Sequence, residues 1–543
     1  MTFRAIPLIL VSTLAFAQHE HSPASGPPAV LMPGLGDVHH AVSTQKPEAQ
    51  RFFDQGLALI YAFNHDEALR AFQRAAEIDP QCPMAFWGIA LAVGPNYNDS
   101  EPDMNREKMA WEAVQHGLAL ASNASPEEMA YMEALATRYS NEPKPDLKQL
   151  AIFYKEAMGK VSKGYPDDLD AATLYAESAM DLRPWQLWTS DGKPAEGTEE
   201  IIATLQSVIQ RNPNHTGANH FLIHAVEASP HPEMALDSAN RLAKLAPAAG
   251  HLVHMPAHIY IRVGAYHDAA RTNEQAAEVD RQYIQKFNVT GMYPAMYYSH
   301  NLHFLAIAAA MEGRFAEANK AAAQLIEHTV PLVKQIPMVE GFLPTEILIL
   351  VKFHHWEEVL KYPEPDDGVP TAHALWFFSR GMAYAAQHKF PEAEAQRQKL
   401  IDGANQLPES ATLGFNRSRD LLSLAAHLLE GHISLARISI PAAAEHFRQA
   451  VKIEDSLRYD EPPDWYLPAR ESLGVALMAQ SRYDEAEKVF REELEHHPNS
   501  GRALFGLWQS LKGEGKNAEA KRAEADFKAA WKNADTKLRP EDL

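Results

Sequence analysis

The residues best suited to chemistry in this 543-residue chain are its histidines. There are 26 of them, and ten fall between His215 and His303. Within that stretch three short runs share spacings of three or four residues: His220, His224 and Glu227; His251, His254 and His258; His300 and His303. On a helix, at about 100° per residue, such spacings keep each run on one stripe. Two imidazoles at i and i+4, as in His220/His224 and His254/His258, can share an ion. Imidazole suits zinc, copper, iron and nickel, while carboxylates in the set favour zinc or iron over copper. The eight residues His220, His224, Glu227, His251, His254, His258, His300 and His303 are therefore candidate ligands of a transition metal, Zn, Cu or Fe. Eight donors exceed the four of a structural zinc site. The count suits two ions, or one ion with further substrate-orienting groups. Glu177 and Glu227 are the candidate general bases that could take a proton from metal-bound water. Hydrolysis and redox chemistry on a peptide or small molecule both fit this donor set, and nothing in it requires catalysis. The competing reading is a metal-free stripe on a protein-binding scaffold, sensitive to histidine protonation near pH 6–7.

Composition excludes several other chemistries. With 71 Asp and Glu against 50 Lys and Arg, the formal charge of −21 argues against a nucleic-acid partner. A hydrophobic fraction of 46% and a charged fraction of 22% describe a globular chain and not an acidic disordered one. Cys82 is the single cysteine, so an internal disulfide, a cysteine zinc site and an iron–sulfur cluster are all ruled out. Cys82 follows a proline that ends one helix and reads as a small packing residue. The motifs H-E-x-x-H, G-x-S-x-G, G-x-x-x-x-G-K-S/T and G-x-G-x-x-G are absent.

The elements that must position the histidines are helical. Residues 1–17, MTFRAIPLILVSTLAFA, have the basic start, short apolar run and A-x-A ending of a secretory signal peptide. Residues 18–47 form an extended leader rich in Pro, Gly and His. No later apolar run approaches a membrane span, so the mature chain is expected to be exported, periplasmic or secreted, without a membrane span. Beyond the leader, helix-period segments with Ala-rich faces alternate with Asn, Asp and Pro turns. RFFDQGLALIYAFNHDEALRAFQRAAEIDP carries Gly56, Ala68, Phe72, Ala75 and Pro80, and the segment from Leu467 repeats them as Gly474, Ala486, Phe490 and Pro498. Leu424 to Asp455 does so with Gly431, Ala443, Phe447 and Ala450. Ala235 and Ala269, Val359 and Ala393, and Ala486 and Ala520 each lie 34 residues apart.

These residues and this period resemble the tetratricopeptide-repeat family over nearly all of residues 48–530. The phrases FFDQGLALIYAFNHDEA, NHFLIHAVEAS and GHLVHMPAHIYIRVG further resemble a group of exported bacterial tetratricopeptide proteins. The resemblance implies an all-α, TPR-type α-solenoid of about ten helix pairs forming a curved superhelix. It also implies a concave groove, lined by first helices, that takes a protein or peptide. The expected divisions are N-terminal repeats with insertions at 48–215, central repeats with the histidine stripe at 216–320, and C-terminal repeats at 321–543. Counting back 19 residues from Ala235, Ala269 and Ala318 starts three first helices at Thr216, Gly250 and Ser299. All eight candidates then occupy positions 2, 5, 9 or 12, and the resemblance turns that stripe toward the groove. Asp170, Thr173 and Glu177 take positions 2, 5 and 9 of the preceding unit. The Leu467 unit instead has Pro468, Glu471, Val475 and Met478, so the histidine stripe is local. Phe53, Trp87, Tyr293, Tyr297 and Tyr298 are candidates for an aromatic rim. His354-His355 and His496-His497 fall at turns and are expected to be solvated.

Overall fold

The computed structural model describes residues 29–366 and 368–543. Residues 1–17, expected to be a signal peptide, lie outside the described residues. The fold is an all-α, TPR-type α-solenoid of antiparallel helix pairs. Among the described residues the sole sheet is a two-stranded hairpin, Thr412–Leu413 against Asn416–Arg417. None of the described helices is long and apolar enough to cross a membrane.

The chain divides into two compact units. The described part of the first comprises 29–32, 38–60 and 64–184; the second comprises 33–37, 61–63 and 185–543, with 367 undescribed. In the first unit, side chains stop the helix starts from fraying. Asn64 accepts from Glu67 N–H, and Asp168 accepts from Asp170 and Ala171 N–H. Ser125 and Glu128 form a reciprocal capping box.

The repeat period has a packing cause that appears in both units. Phe72 lies between Gly56 and Gly88, where a Cβ would meet its ring at 2.5 and 2.2 Å. In the second unit Phe490 lies in the same way between Gly474 and Gly506, at 2.3 and 2.2 Å. One aromatic ring thus fills the gap left by a glycine on its own partner helix and another on the next pair.

The second unit departs from regular repeats where the histidines are. Thr216–Val226 is followed by Leu236–Leu245, and then by Gly250–His254 and Pro256–Arg262. Pro256, which lacks an N–H, separates the last two, although Met255 keeps helical dihedrals. Tyr266–Phe287 runs for 22 residues and ends at Asn288, with φ 52. A π-helical turn, Tyr293–Tyr298, then leads directly into Ser299–Met311. This long helix and turn account for the 49 residues between Ala269 and Ala318. Buried Asp280 ties the segment together by accepting from Tyr293 Oη at 2.8 Å and Asn301 Nδ2 at 2.7 Å. Its carboxylate also lies against Gly250, where a Cβ would stand 1.9 Å from Oδ1. The starts of two histidine helices are thereby fixed to one side chain.

Candidate metal centre

Seven of the eight candidates are buried in the second unit, and His300 is half-buried. The resemblance implied side chains facing an open groove; instead His220 and His254 are 0% exposed. The reason is an aromatic cover contributed by segments distant in sequence. Phe63 packs its ring against His220, His224 and His251 with centroids 4.5–5.5 Å apart. Trp185 meets His224 edge-on at 5.5 Å, and Tyr297 meets His251 at 5.0 Å.

Six histidines assemble into two triads. In His220, His224 and His251, one ligand atom from each lies within 4.8 Å of the others, and the same holds for His254, His258 and His300. Oxygen atoms behind the rings fix which nitrogen faces inward. His220 Nδ1 donates to the Tyr61 carbonyl at 2.7 Å. His254 Nδ1 lies 2.6 Å from Asn273 Oδ1, and Asn273 Nδ2 itself donates to the Ala269 carbonyl at 2.8 Å. Since the amide oxygen can only accept, His254 Nδ1 carries the proton. His224 and His258 direct their Nδ1 atoms at the two oxygens of Glu227, at 2.8 and 2.5 Å. His220, His224 and His254 are therefore tautomers whose Nε2 bears a lone pair.

His254 Nε2 stands 2.8 Å from His258 Nε2, and His220 Nε2 stands 3.1 Å from His251 Nε2. The His254 Nδ1 proton is committed to Asn273, so His254 Nε2 presents its lone pair to the His258 ring. Burial, reinforced by neighbouring imidazoles, pushes His220, His251, His254 and His300 well below the ordinary histidine range. They are neutral at physiological pH, the form that ligates metal. Burial alone would raise the Glu227 carboxyl, but His258 and His224 outweigh it and hold it at about 2.

Three expected residues take other positions. Glu227 has both oxygens on ring Nδ1 atoms, which puts it behind the histidines as an orienting carboxylate and leaves no oxygen toward the triads. His303 joins neither triad; its ring packs edge-on against Phe342 and Tyr466. Glu177 belongs to the first unit, where burial and the neighbouring Asp181 raise its carboxyl well above the usual range beside Arg138. Of the aromatic-rim candidates, Tyr297 touches a triad histidine, whereas Tyr293 holds Asp280 and Tyr298 packs on His328. Phe53 and Trp87 are buried against each other in the first unit. His496 is exposed, as expected, whereas His354, His355 and His497 are half-buried; His355 stacks on Phe315 at 3.8 Å, and His497 bonds Glu493 at 2.7 Å. Burial pushes the Cys82 thiol up to about 11, consistent with a packing role.

Sequence reasoning missed Tyr61, Phe63, Trp185, Asn273 and Arg262. Arg262 donates to the carbonyls of Glu227 and Ser229 at 3.1 and 3.2 Å and so anchors the end of the first histidine helix. Phe63 and Trp185 have positive φ values of 52 and 58, a conformation that residue type does not announce. A smaller cluster lies in the first unit, where His40 Nδ1 approaches Asp170 Oδ2 at 2.9 Å near Asp168.

Comparison with known proteins bears on the fold. A tetratricopeptide-repeat family profile matches residues 469–502. No curated protein sequence matches the chain. Among solved structures, the Cut9–Hcn1 hetero-tetramer of APC/C aligns at 14% identity, over 94% of this chain and 78% of that one, with a TM-score of 0.30. The human IFIT1 dimer with m7Gppp-AAAA aligns at 16% identity over 90% and 91%, with a TM-score of 0.31. Yeast Tom70 aligns at 10% identity over 87% and 90%, with a TM-score of 0.28. Superpositions this loose leave the assignment to the profile match and to the chain's own paired helices with their glycine–phenylalanine contacts. Those contacts make the fold a TPR-type α-solenoid, and the profile marks residues 469–502 as one tetratricopeptide repeat.

Proposed function

We propose that this protein is an exported tetratricopeptide scaffold that binds a transition metal at the buried histidine cluster of its central repeats. The observation that carries the reading is the approach of His254 Nε2 to His258 Nε2 at 2.8 Å while Asn273 and Glu227 occupy the opposite nitrogens. A cation held by the two Nε2 atoms would turn that close approach into coordination. Rings oriented from behind by a carboxylate or carbonyl are the usual support of metal-binding imidazoles. Elemental analysis of untagged protein after supplementation with Zn, Cu or Fe tests it. A stoichiometric metal that disappears in H224A/H254A/H258A is expected; less than about a fifth of an equivalent in the wild-type chain overturns it.

The metal reading sits on a protein-interaction scaffold, since helix-pair solenoids present extended binding surfaces. If the chain proves metal-free, capture of an envelope protein or peptide in the groove becomes its main role. Export rests on the composition of residues 1–17, and amino-terminal sequencing of the mature protein should begin at Gln18. Any reaction at the metal would need a base other than Glu227, whose oxygens are engaged by His224 and His258.

A further inference from the structure

The arrangement of the six histidines says more than that a metal binds, and it deepens the metal reading, on which it rests. The ligand atoms separate into two sets of three, each compact enough to surround one ion. Neither triad contains a carboxylate. Glu227 stands outside both, with Oε1 on His224 of the first triad and Oε2 on His258 of the second. The triads are neighbours: the His224 and His258 ring centroids are 5.9 Å apart, as are those of His251 and His254. We infer that the cluster is a pair of three-histidine copper sites, oriented together by Glu227.

Two arguments choose copper. The first is donor chemistry. Sets made only of imidazole suit copper, zinc and nickel, whereas calcium, magnesium and manganese prefer oxygen, and non-haem iron characteristically takes a carboxylate beside its histidines. Moving Glu227 out of the ligand set removes the feature that favoured zinc or iron. The second is charge. The rings around the triads are buried, with His220, His224, His251, His254 and His258 all at 4% exposure or less. Two Zn(II) ions beside one carboxylate would leave three uncompensated positive charges there, whereas two Cu(I) ions leave one. Arg262, bonded to the Glu227 carbonyl, and the buried carboxyl of Glu461 place groups of opposite sign nearby and do not supply the missing compensation. Uncompensated charge in a dry interior carries a desolvation penalty of several kcal/mol per ion, so the monovalent pair is favoured.

Glu227 also makes the two sites interdependent. It holds one ring of each triad through a single carboxylate, so its loss should loosen both. Replacing such an orienting partner typically weakens metal binding 10–100-fold.

The test uses the untagged full-length chain, loaded anaerobically with Cu(I) buffered by a competing chelator and, in parallel, with Zn(II). Two coppers per chain are expected, each with three imidazole nitrogens by X-ray absorption. H220N/H251N and H258N/H300N should each retain one copper, with circular dichroism confirming the helical fold. E227Q should weaken both coppers. Because the variants could fail to fold, stoichiometry and absorption of the wild-type chain decide independently of them. One copper per chain overturns the pair while preserving the metal reading. Preference for zinc over copper under matched buffering overturns the choice of metal. Weakening of only one copper in E227Q overturns the shared orienting role. Retention of neither metal overturns the metal reading itself.

Discussion

The central histidine helices and the helix pair from Leu467 to Pro498 occupy the same repeat frame, yet they treat buried polar groups in opposite ways. In the latter, position 5 is Glu471, buried and ion-paired with Arg502 at 2.6 Å. Burial would raise that carboxyl, but Arg502 and Lys352 hold it below its ordinary range. The charge is answered within the protein. In the central helices, position 5 is His220 or His254, and their Nε2 atoms face the Nε2 atoms of His251 and His258. These groups are supported from behind and opposed in front. A buried polar stripe is thus compatible with two outcomes: a closed ion pair that contributes to folding, or a set of aligned donors that calls for a ligand. The outcome is set by which atoms stand behind the side chains.

Four experiments would break or sharpen this contrast. The largest effect is expected for H254A/H258A, which removes two aligned donors and should weaken metal binding at the triad they form with His300 by more than about 100-fold, beyond the effect of an outer partner. Replacing Val475 and Met478 with Ala at the matching stripe should leave metal content unchanged by elemental analysis. Next, R502A leaves the buried Glu471 carboxylate with Lys352 alone and should cost up to about 3–5 kcal/mol in denaturant unfolding, with metal affinity unaltered. Third, E227Q keeps the shape but weakens the orienting bonds. A 10–100-fold loss in a chelator competition is expected, equivalent to about 1.4–2.7 kcal/mol. The smallest effect concerns pH. Burial lowers His432, whose Nε2 contacts Ser472 Oγ at 3.1 Å, to about 3. The unfolded chain takes up that proton first, near its ordinary value of 6.5. Stability is therefore full above about pH 6.5 and falls as pH drops from there toward 3. Equilibrium unfolding of the metal-free protein at stepwise lower pH should show this slope together with that of the buried triad histidines, and H432Q should make it shallower.

The repeat and the histidine stripe were legible because both depend on spacing. Gly56 with Phe72 and Gly474 with Phe490 mark contacts between helices close in sequence, and their 16-residue separations survive in the folded chain as direct packing. The i, i+4 pairs His220/His224 and His254/His258 likewise needed only helical geometry, and each pair does share one triad. The same reasoning misplaced His303, which repeats the phase of His254 but packs against Phe342 and Tyr466. Phase names a face of a helix and says nothing of what another segment lays against it.

Residue type and repeat length therefore suffice to make the chain a helical array, to exclude cysteine chemistry and to bring histidines into register on three helices. Only the folded chain decides that the stripe is covered by Phe63 and Trp185, that six histidines divide into two triads, and that Glu227 stands behind the rings. The physical reason is range. Helical periodicity is a local property of the backbone, whereas a tautomer, a buried lone pair and an orienting oxygen depend on contacts such as Tyr61 with His220, separated by 159 residues.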